Sequence, residues 1–162
     1  MEKVLKNLKD FFIKNNLKIS TGESCTGGLI SSYLTDIDGA SDFVEQNFVT
    51  YAPEAKEKFL DVKKSAIEKY SVVSPQVAHQ MAKGLLKYAD ISIATTGYAA
   101  PTGGDKKNPP GTVYIGLGIK KGKKSNIKTI EYHSALKTRM QIKKDFAKKA
   151  LEELLSFLQK EI

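Results

Sequence analysis

Leu17-Lys-Ile-Ser-Thr-Gly-Glu-Ser-Cys-Thr-Gly-Gly-Leu-Ile-Ser-Ser-Tyr-Leu-Thr-Asp-Ile37 is the stretch on which the fold turns. Leu17 to Thr21 is a short run suited to a strand. Gly22 to Gly28 is a chain of small and polar residues, and Leu29 to Ile37 spaces its apolar side chains as a helix does. That helix is expected to begin in the glycines and to stop before Asp38-Gly39. Strand, small-residue loop and helix in succession form the repeating unit of α/β proteins.

The sequence on either side extends the pattern. Upstream, Val4, Leu5, Leu8, Phe11 and Phe12 lie on one face of a helix ending near Asn15-Asn16. Downstream, a second strand lies between Phe43 and Tyr51, with Phe48, Val49 and Tyr51 as its firmest part, followed by helical pieces at 54–60 and 64–69. Ser74-Pro75 places a capping side chain before a proline and predicts a helix reaching about Tyr88. Residues 90–96 form a third strand. The Gly-, Pro- and Thr-rich segment 96–111 is too long for a tight turn and is a candidate functional loop. Segments 112–119 and 125–132 are read as a hairpin around Lys-Lys-Gly-Lys-Lys, and 138–159 as a last amphipathic helix. Residues 1–162 are expected to form a single domain. The fold class is α/β, a three-layer α/β/α sandwich around a mixed, mostly parallel sheet of about five strands, with the hairpin supplying an antiparallel strand.

Composition narrows the function classes. Apolar residues make up 41% and charged ones 27%, which excludes global disorder. The net charge is +8, and 25 of the 26 cations are lysines, with Arg139 the only arginine. The whole excess lies in residues 105–162, where 13 lysines and Arg139 face six acids. A basic block of this kind suggests a nucleic-acid-binding domain, but the near absence of arginine argues against it, because arginine's planar fork is what grips phosphate and guanine bidentately. Cys25 has no disulfide partner, and His79 and His133 have no zinc spacing, so neither a structural metal nor a cofactor is expected. No apolar run reaches the length of a membrane span and the N-terminus alternates charged with apolar residues, so the expected setting is soluble and cytoplasmic.

Chemistry centres on Ser24-Cys25-Thr26-Gly27-Gly28. At a strand-to-helix junction, backbone N–H groups without helical partners can receive an anion or a developing oxyanion. Ser24 or Thr26 can equally be a plain helix cap. A serine nucleophile needs a base. A lysine serves if burial lowers its pKa from ~10.4 by roughly three units. Lys56, just after the second strand in Tyr51-Ala-Pro-Glu-Ala-Lys56, is the candidate.

Taken in order, Glu23-Ser-Cys-Thr-Gly-Gly28, Gly39-Ala-Ser41, Phe48-Val-Thr-Tyr51 with Glu54-Ala-Lys56, Val73-Ser74, Thr96-Gly97 with Pro101 and Gly103-Gly104, Pro110-Gly-Thr-Val113 and Arg139 resemble the CinA C-terminal domain family over about residues 5–158. That family includes stand-alone nicotinamide-nucleotide amidases. The resemblance implies hydrolysis of nicotinamide mononucleotide to nicotinate mononucleotide and ammonia, part of pyridine nucleotide salvage, by a serine–lysine pair matching Ser24 and Lys56. On this basis Ser24 is the nucleophile and neutral Lys56 its base. Tyr51 either orients the pair through its hydroxyl or is a strand aromatic packed in the core. Thr26, Gly27, Gly28, Thr96, Gly97, Gly103, Gly104 and Arg139 shape the substrate site, with Arg139 anchoring the phosphate or forming an internal salt bridge. Lys143 stands where the family has a second arginine, and Cys25 is read as a small buried side chain. The resemblance also implies that copies of the chain can associate as a homo-oligomer. The chain departs from the family pattern at Ala52, Pro53, Tyr98, Ala100, Asn108 and Pro110. Ala52, Pro53 and Ala100 motivate an alternative, a nucleotide-binding module of the same fold with altered or lost catalysis.

Overall fold

The computed structural model describes residues 1–161. Helix α1 (Glu2–Asn15) ends on Asn16 in the left-handed conformation, and strand β1 (Ile19–Glu23) follows, two residues later than the Leu17–Thr21 expected. Lys18 explains the shift: its backbone N–H is taken by the Asp90 side chain and its carbonyl by the Asp90 and Ile91 N–H groups, so the ladder starts one residue on. Helix α2 (Leu29–Thr35) is followed by a single 3-10 turn (Ala40–Asp42) and strand β2 (Val44–Val49). Tyr51 lies beyond the end of β2, not in it. Helices α3 (Pro53–Leu60), α4 (Lys64–Tyr70) and α5 (Pro75–Leu85) lead to β3 (Ile91–Gly97). The hairpin β4 (Thr112–Lys121) and β5 (Lys124–His133) precedes the long helix α6 (Arg139–Glu161).

The strands form one sheet in the order β2-β1-β3-β4-β5. β1 runs parallel to both β2 and β3, while β4 is antiparallel to β3 and β5. Strand alternation sends side chains to two separate cores. Ile19, Ile91 and Ile93 meet Leu8, Phe12, Ile30, Leu34, Phe146 and Leu154 from α1, α2 and α6 on one face. Ala94 meets Leu60, Val77, Met81 and Leu85 from α3 and α5 on the other. The result is α/β with helices on both faces.

Two glycines set the position of α3. A methyl group built on Gly22 of β1 would lie 2.9 Å from Leu60 Cδ1, and one on Gly84 of α5 would lie 1.9 Å from the Leu60 carbonyl oxygen. Leu60 therefore sits in a seat that only missing side chains leave open. One helical turn earlier on the same buried face is Lys56. Among the described residues no helix is long and apolar enough to cross a membrane.

Candidate active site

The carboxyl ends of β1, β2 and β3 lie side by side, and β1 is where the sheet's connections diverge, with α2 on one face and α3 to α5 on the other. Such a divergence opens a crevice at the strand ends. A cavity of about 210 Å³ occupies it, lined by Ser24 and Cys25 after β1, Tyr51 and Pro53 after β2, Val72 and Val73 before α5, and Thr96 to Ala100 at and beyond the end of β3, with Arg139 of α6 at one side.

Lys56 enters from α3. Its side chain is fully buried, and its ammonium lies 3.0 Å from Ser24 Oγ, 3.2 Å from the Tyr51 carbonyl, and within hydrogen-bond reach of the Thr50 carbonyl. Burial pulls the ammonium down from its ordinary 10.5 to about 8. The three partners suit the neutral amine. It has two N–H groups for two carbonyls and one lone pair, which then points at the Ser24 hydroxyl. Ser24 is itself buried, and its backbone N–H donates to the Thr95 carbonyl at 3.1 Å, tying the nucleophile to β3.

The loop behind Ser24 is held from the opposite face. Glu23, fully buried, accepts from the Gly28, Ile30 and Ser31 N–H groups at 3.0, 3.1 and 2.8 Å, and from Ser31 Oγ at 2.7 Å. This overturns part of the sequence expectation: the N–H groups at the start of α2 are occupied by the protein's own carboxylate. The Cys25 and Thr26 N–H groups, next to Ser24, donate to no other residue among the described residues, but only Cys25 lines the cavity, so its N–H is the one in this loop placed to meet an oxyanion. Thr26 points away from the cavity, its hydroxyl 2.8 Å from that of Thr95. Gly27 and Gly28 form the turn, with φ of 63° and 97°, and do not line the cavity.

The remaining expected residues separate. Thr96 and Gly97 are cavity wall. Thr96 Oγ1 donates to the Val72 carbonyl at 2.8 Å, and a side chain on Gly97 would collide with the Thr112 carbonyl. Gly103 and Gly104 are exposed and outside the cavity. They shape a loop that closes on Asp105 and on buried Asn108, which donates to the Val73 carbonyl and accepts from the Tyr114 hydroxyl. Tyr51 is 59% exposed, so it is no core aromatic, and its hydroxyl accepts from Arg139 Nη2 at 2.9 Å and does not reach the Ser24–Lys56 pair. Its carbonyl is the part that touches Lys56. Arg139 makes no salt bridge among the described residues. The Cys25 thiol is buried and pushed up to about 12 by desolvation, so it stays protonated. Of the departures, Ala52 is the N-cap of α3 without a side-chain bond and Pro53 its first residue, so both act on helix initiation. Ala100 does line the cavity. Among the described residues no group of three or more His, Cys, Asp or Glu is placed to hold a metal ion.

Tyr98 and Val73 enter the sequence analysis only through the family pattern, and neither they nor Val72 are expected there as cavity wall. Val72 and Val73 reach the cavity only through the path of the α4–α5 connection, which carries no local signal. Glu23 could have been found, since an acid shortly before a helix start is a capping pattern. The basic excess is partly spent within the fold: Lys121, Lys128, Lys148 and Lys149 pair with Glu161, Glu153, Glu152 and Glu153.

Comparison with known proteins agrees with this architecture. The CinA C-terminal domain model matches residues 1–158. A putative competence-damage inducible protein of Clostridium novyi is 44% identical over 128 residues, 78% of this chain and 30% of that protein. One of Caldicellulosiruptor saccharolyticus is 41% identical over 147 residues, 90% of this chain and 34% of its own. The chain thus spans about a third of the length of these curated relatives. Among solved structures, the competence/damage inducible protein CihA of Agrobacterium tumefaciens superposes with a TM-score of 0.90 at 36% identity, covering 98% of this chain and 94% of that one. A CinA superfamily protein of Escherichia coli gives 0.88 at 35%, covering 95% and 88%. The match runs through every element that builds the cavity, and the chain belongs to the CinA C-terminal domain family.

Proposed function

We propose that the chain is an amidohydrolase that uses Ser24 and Lys56 to convert nicotinamide mononucleotide and water to nicotinate mononucleotide and ammonia. The observation that carries this reading is the buried Lys56 amine 3.0 Å from Ser24 Oγ, with its other two hydrogen-bonding positions filled by carbonyls. Ser24 Oγ attacks the carboxamide carbon as its proton passes to Lys56 Nζ. The oxyanion is received by the Cys25 N–H group at the cavity wall. Lys56 then returns the proton to the departing nitrogen and ammonia leaves, with the acyl group on Ser24. Water, deprotonated by Lys56, attacks the ester; the acid is released and Ser24 regains its proton. The planar amide-bearing ring suits the 210 Å³ cavity between Tyr98, Val73 and Gly97, and Arg139 meets the phosphate at its side.

Ammonia release from nicotinamide mononucleotide tests this. Wild type is expected to turn over, while Ser24→Ala and Lys56→Ala are expected to lose at least about a thousandfold in kcat. Full activity in either variant overturns the pair. Tight binding of the nucleotide by wild type with no turnover favours the alternative, a binding module of the same fold, for which Ala100 in the cavity wall is the motivating observation.

A further inference from the structure

We infer that Tyr98, held by Asp105, is the surface of the site that selects a positively charged aromatic ring, a specificity-determining residue for amides carried on a pyridinium. This deepens the amidase reading above and rests on it for the reaction. Two tyrosines line the Ser24 cavity, Tyr51 and Tyr98. Their hydroxyls are polarised in opposite senses. That of Tyr51 accepts from the Arg139 guanidinium at 2.9 Å, which draws electron density out of the ring. That of Tyr98 donates to Asp105 Oδ2 at 3.0 Å, which pushes density into it. An aromatic face carries partial negative charge and attracts a cation, the more so as its electron density rises.

A cationic ring needs such a surface here. None of the lining residues is an acid and Arg139 stands at one side, so the ring has no carboxylate to meet within the cavity. The compensating charge is one residue removed, on Asp105 behind Tyr98. Asp105 is exposed but fastened: its Oδ1 accepts from the Lys107 and Asn108 N–H groups at 2.8 and 2.9 Å and from the Asn108 side chain at 3.1 Å. Asn108 is buried and donates in turn to the carbonyl of Val73 in the cavity wall at 3.0 Å. These donors, the Asn108 side chain first, hold the Asp105 carboxyl down at about 2, so it is charged at neutral pH. Burial first, and the bond to Asp105 next, raise the Tyr98 phenol above its ordinary 10, so it remains the donor. The ring is also fixed in place. The Tyr98 N–H donates to the Thr112 carbonyl at 2.8 Å, its carbonyl accepts from the Gly111 N–H at 2.9 Å, and its side chain packs against Val73, Ala78 and Tyr114. Tyr98 and Asn108 are among the residues at which the chain departs from the family pattern, so this arrangement belongs to the chain and not to the shared motif. A neutral ring bearing the same amide can stack on Tyr98 but gains nothing from the charge behind it.

The test measures binding by calorimetry in the Ser24→Ala protein, where turnover does not interfere. Its two ligands are nicotinamide mononucleotide and 3-carbamoylphenyl riboside 5′-phosphate, which carries the same carboxamide, ribose and phosphate on a neutral benzene ring. The pyridinium nucleotide is expected to bind about tenfold more tightly. Adding Tyr98→Leu is expected to bring the ratio of the two Kd values to within about twofold of one. Asp105→Asn, at an exposed side chain that keeps an acceptor for Tyr98, and Tyr98→Phe, which keeps the ring, are each expected to lower the ratio about threefold. A ratio near one before Tyr98 is changed, equal weakening of both ligands by Tyr98→Leu, or an unchanged ratio in Asp105→Asn overturns the inference. If the preference is present and wild type releases no ammonia, the amidase reading fails and the charge-selecting surface stands. If wild type turns over and the ratio is one, the reverse holds.

Discussion

The depressed Lys56 pKa is a statement about stability as well as chemistry, and it can be isolated with Lys56→Met, which keeps an unbranched apolar stem and removes the titrating amine. In the folded protein the ammonium loses its proton near pH 8, whereas in the unfolded chain a lysine does so near 10.4. Below pH 8 both states hold the proton. Between the two values the unfolded state binds more protons, so stability rises with pH, and above about 10.4 the gain is complete. At about 1.4 kcal/mol per pH unit, a gap of roughly 2.4 units is worth about 3 kcal/mol. The contribution is thus present above the unfolded pKa and lost as pH falls through 8. Urea unfolding of wild type and Lys56→Met at steps between pH 6.5 and 11 measures it. The difference between the two curves cancels the other lysines and the tyrosines, and wild type should gain about 3 kcal/mol on the variant across this range. Parallel profiles would refute the reasoning, because they would mean that the buried amine titrates as it does in water.

Activity should follow the same group: kcat/KM for ammonia release rises about tenfold per pH unit below 8 and levels above it, and a flat profile from pH 6 to 9 would remove Lys56 as the base. Glu23→Gln, which replaces a buried carboxylate accepting four hydrogen bonds, should lower unfolding stability by about 2–3 kcal/mol; a loss under about 0.5 would show that the clamp carries no weight. Gly84→Ala drives a methyl group into the Leu60 carbonyl and should cost about 3 kcal/mol by thermal or urea unfolding, with a fall in kcat as α3 and Lys56 shift. Cys25→Ala should keep ammonia release, since the thiol stays protonated; loss of turnover with Ser24 intact would make the cysteine the nucleophile.

Much of this was legible in the chain, and the limits have physical causes. The order of helices and strands follows from apolar spacing and from punctuation such as Ser74-Pro75, whose serine caps α5 by accepting from the Val77 N–H at 3.3 Å. Lys56 is marked out by its place just after a strand, but its burial depends on Gly22 and Gly84, which sit 62 residues apart and both pack against Leu60. The sequence overstates the free N–H groups of Ser24 to Gly28, because a helix start looks open until the residue that fills it is seen. Glu23 was in plain view, but strand alternation is needed to see which way it points. The family resemblance implies Gly103 and Gly104 as pocket-shaping glycines. Their positive φ values, 91° and 88°, instead serve a turn closed by the Asp105–Asn108 bonds.

That alternation explains why Glu23 and Ser24 must be neighbours. On β1, Thr21 and Glu23 point to the α2 face, where Thr21 meets Ser31 and Asn47 and Glu23 meets the start of α2. Gly22 and Ser24 point to the α3 face, where the first meets Leu60 and the second meets Lys56. One peptide unit therefore separates the group that fixes the loop from the group that reacts. A carboxylate on the lysine's face would pair with the ammonium and hold it charged, raising the pKa that burial lowers. Placed on the opposite face, Glu23 holds the backbone next to Ser24 without neutralising Lys56, and Lys56 stays poised near 8 with its lone pair free for the serine. A one-residue slip of β1 against β2 and β3 would exchange these roles and abolish both, so the register Glu23↔Val49 and Glu23↔Thr95 is as much a part of the site as the two side chains themselves.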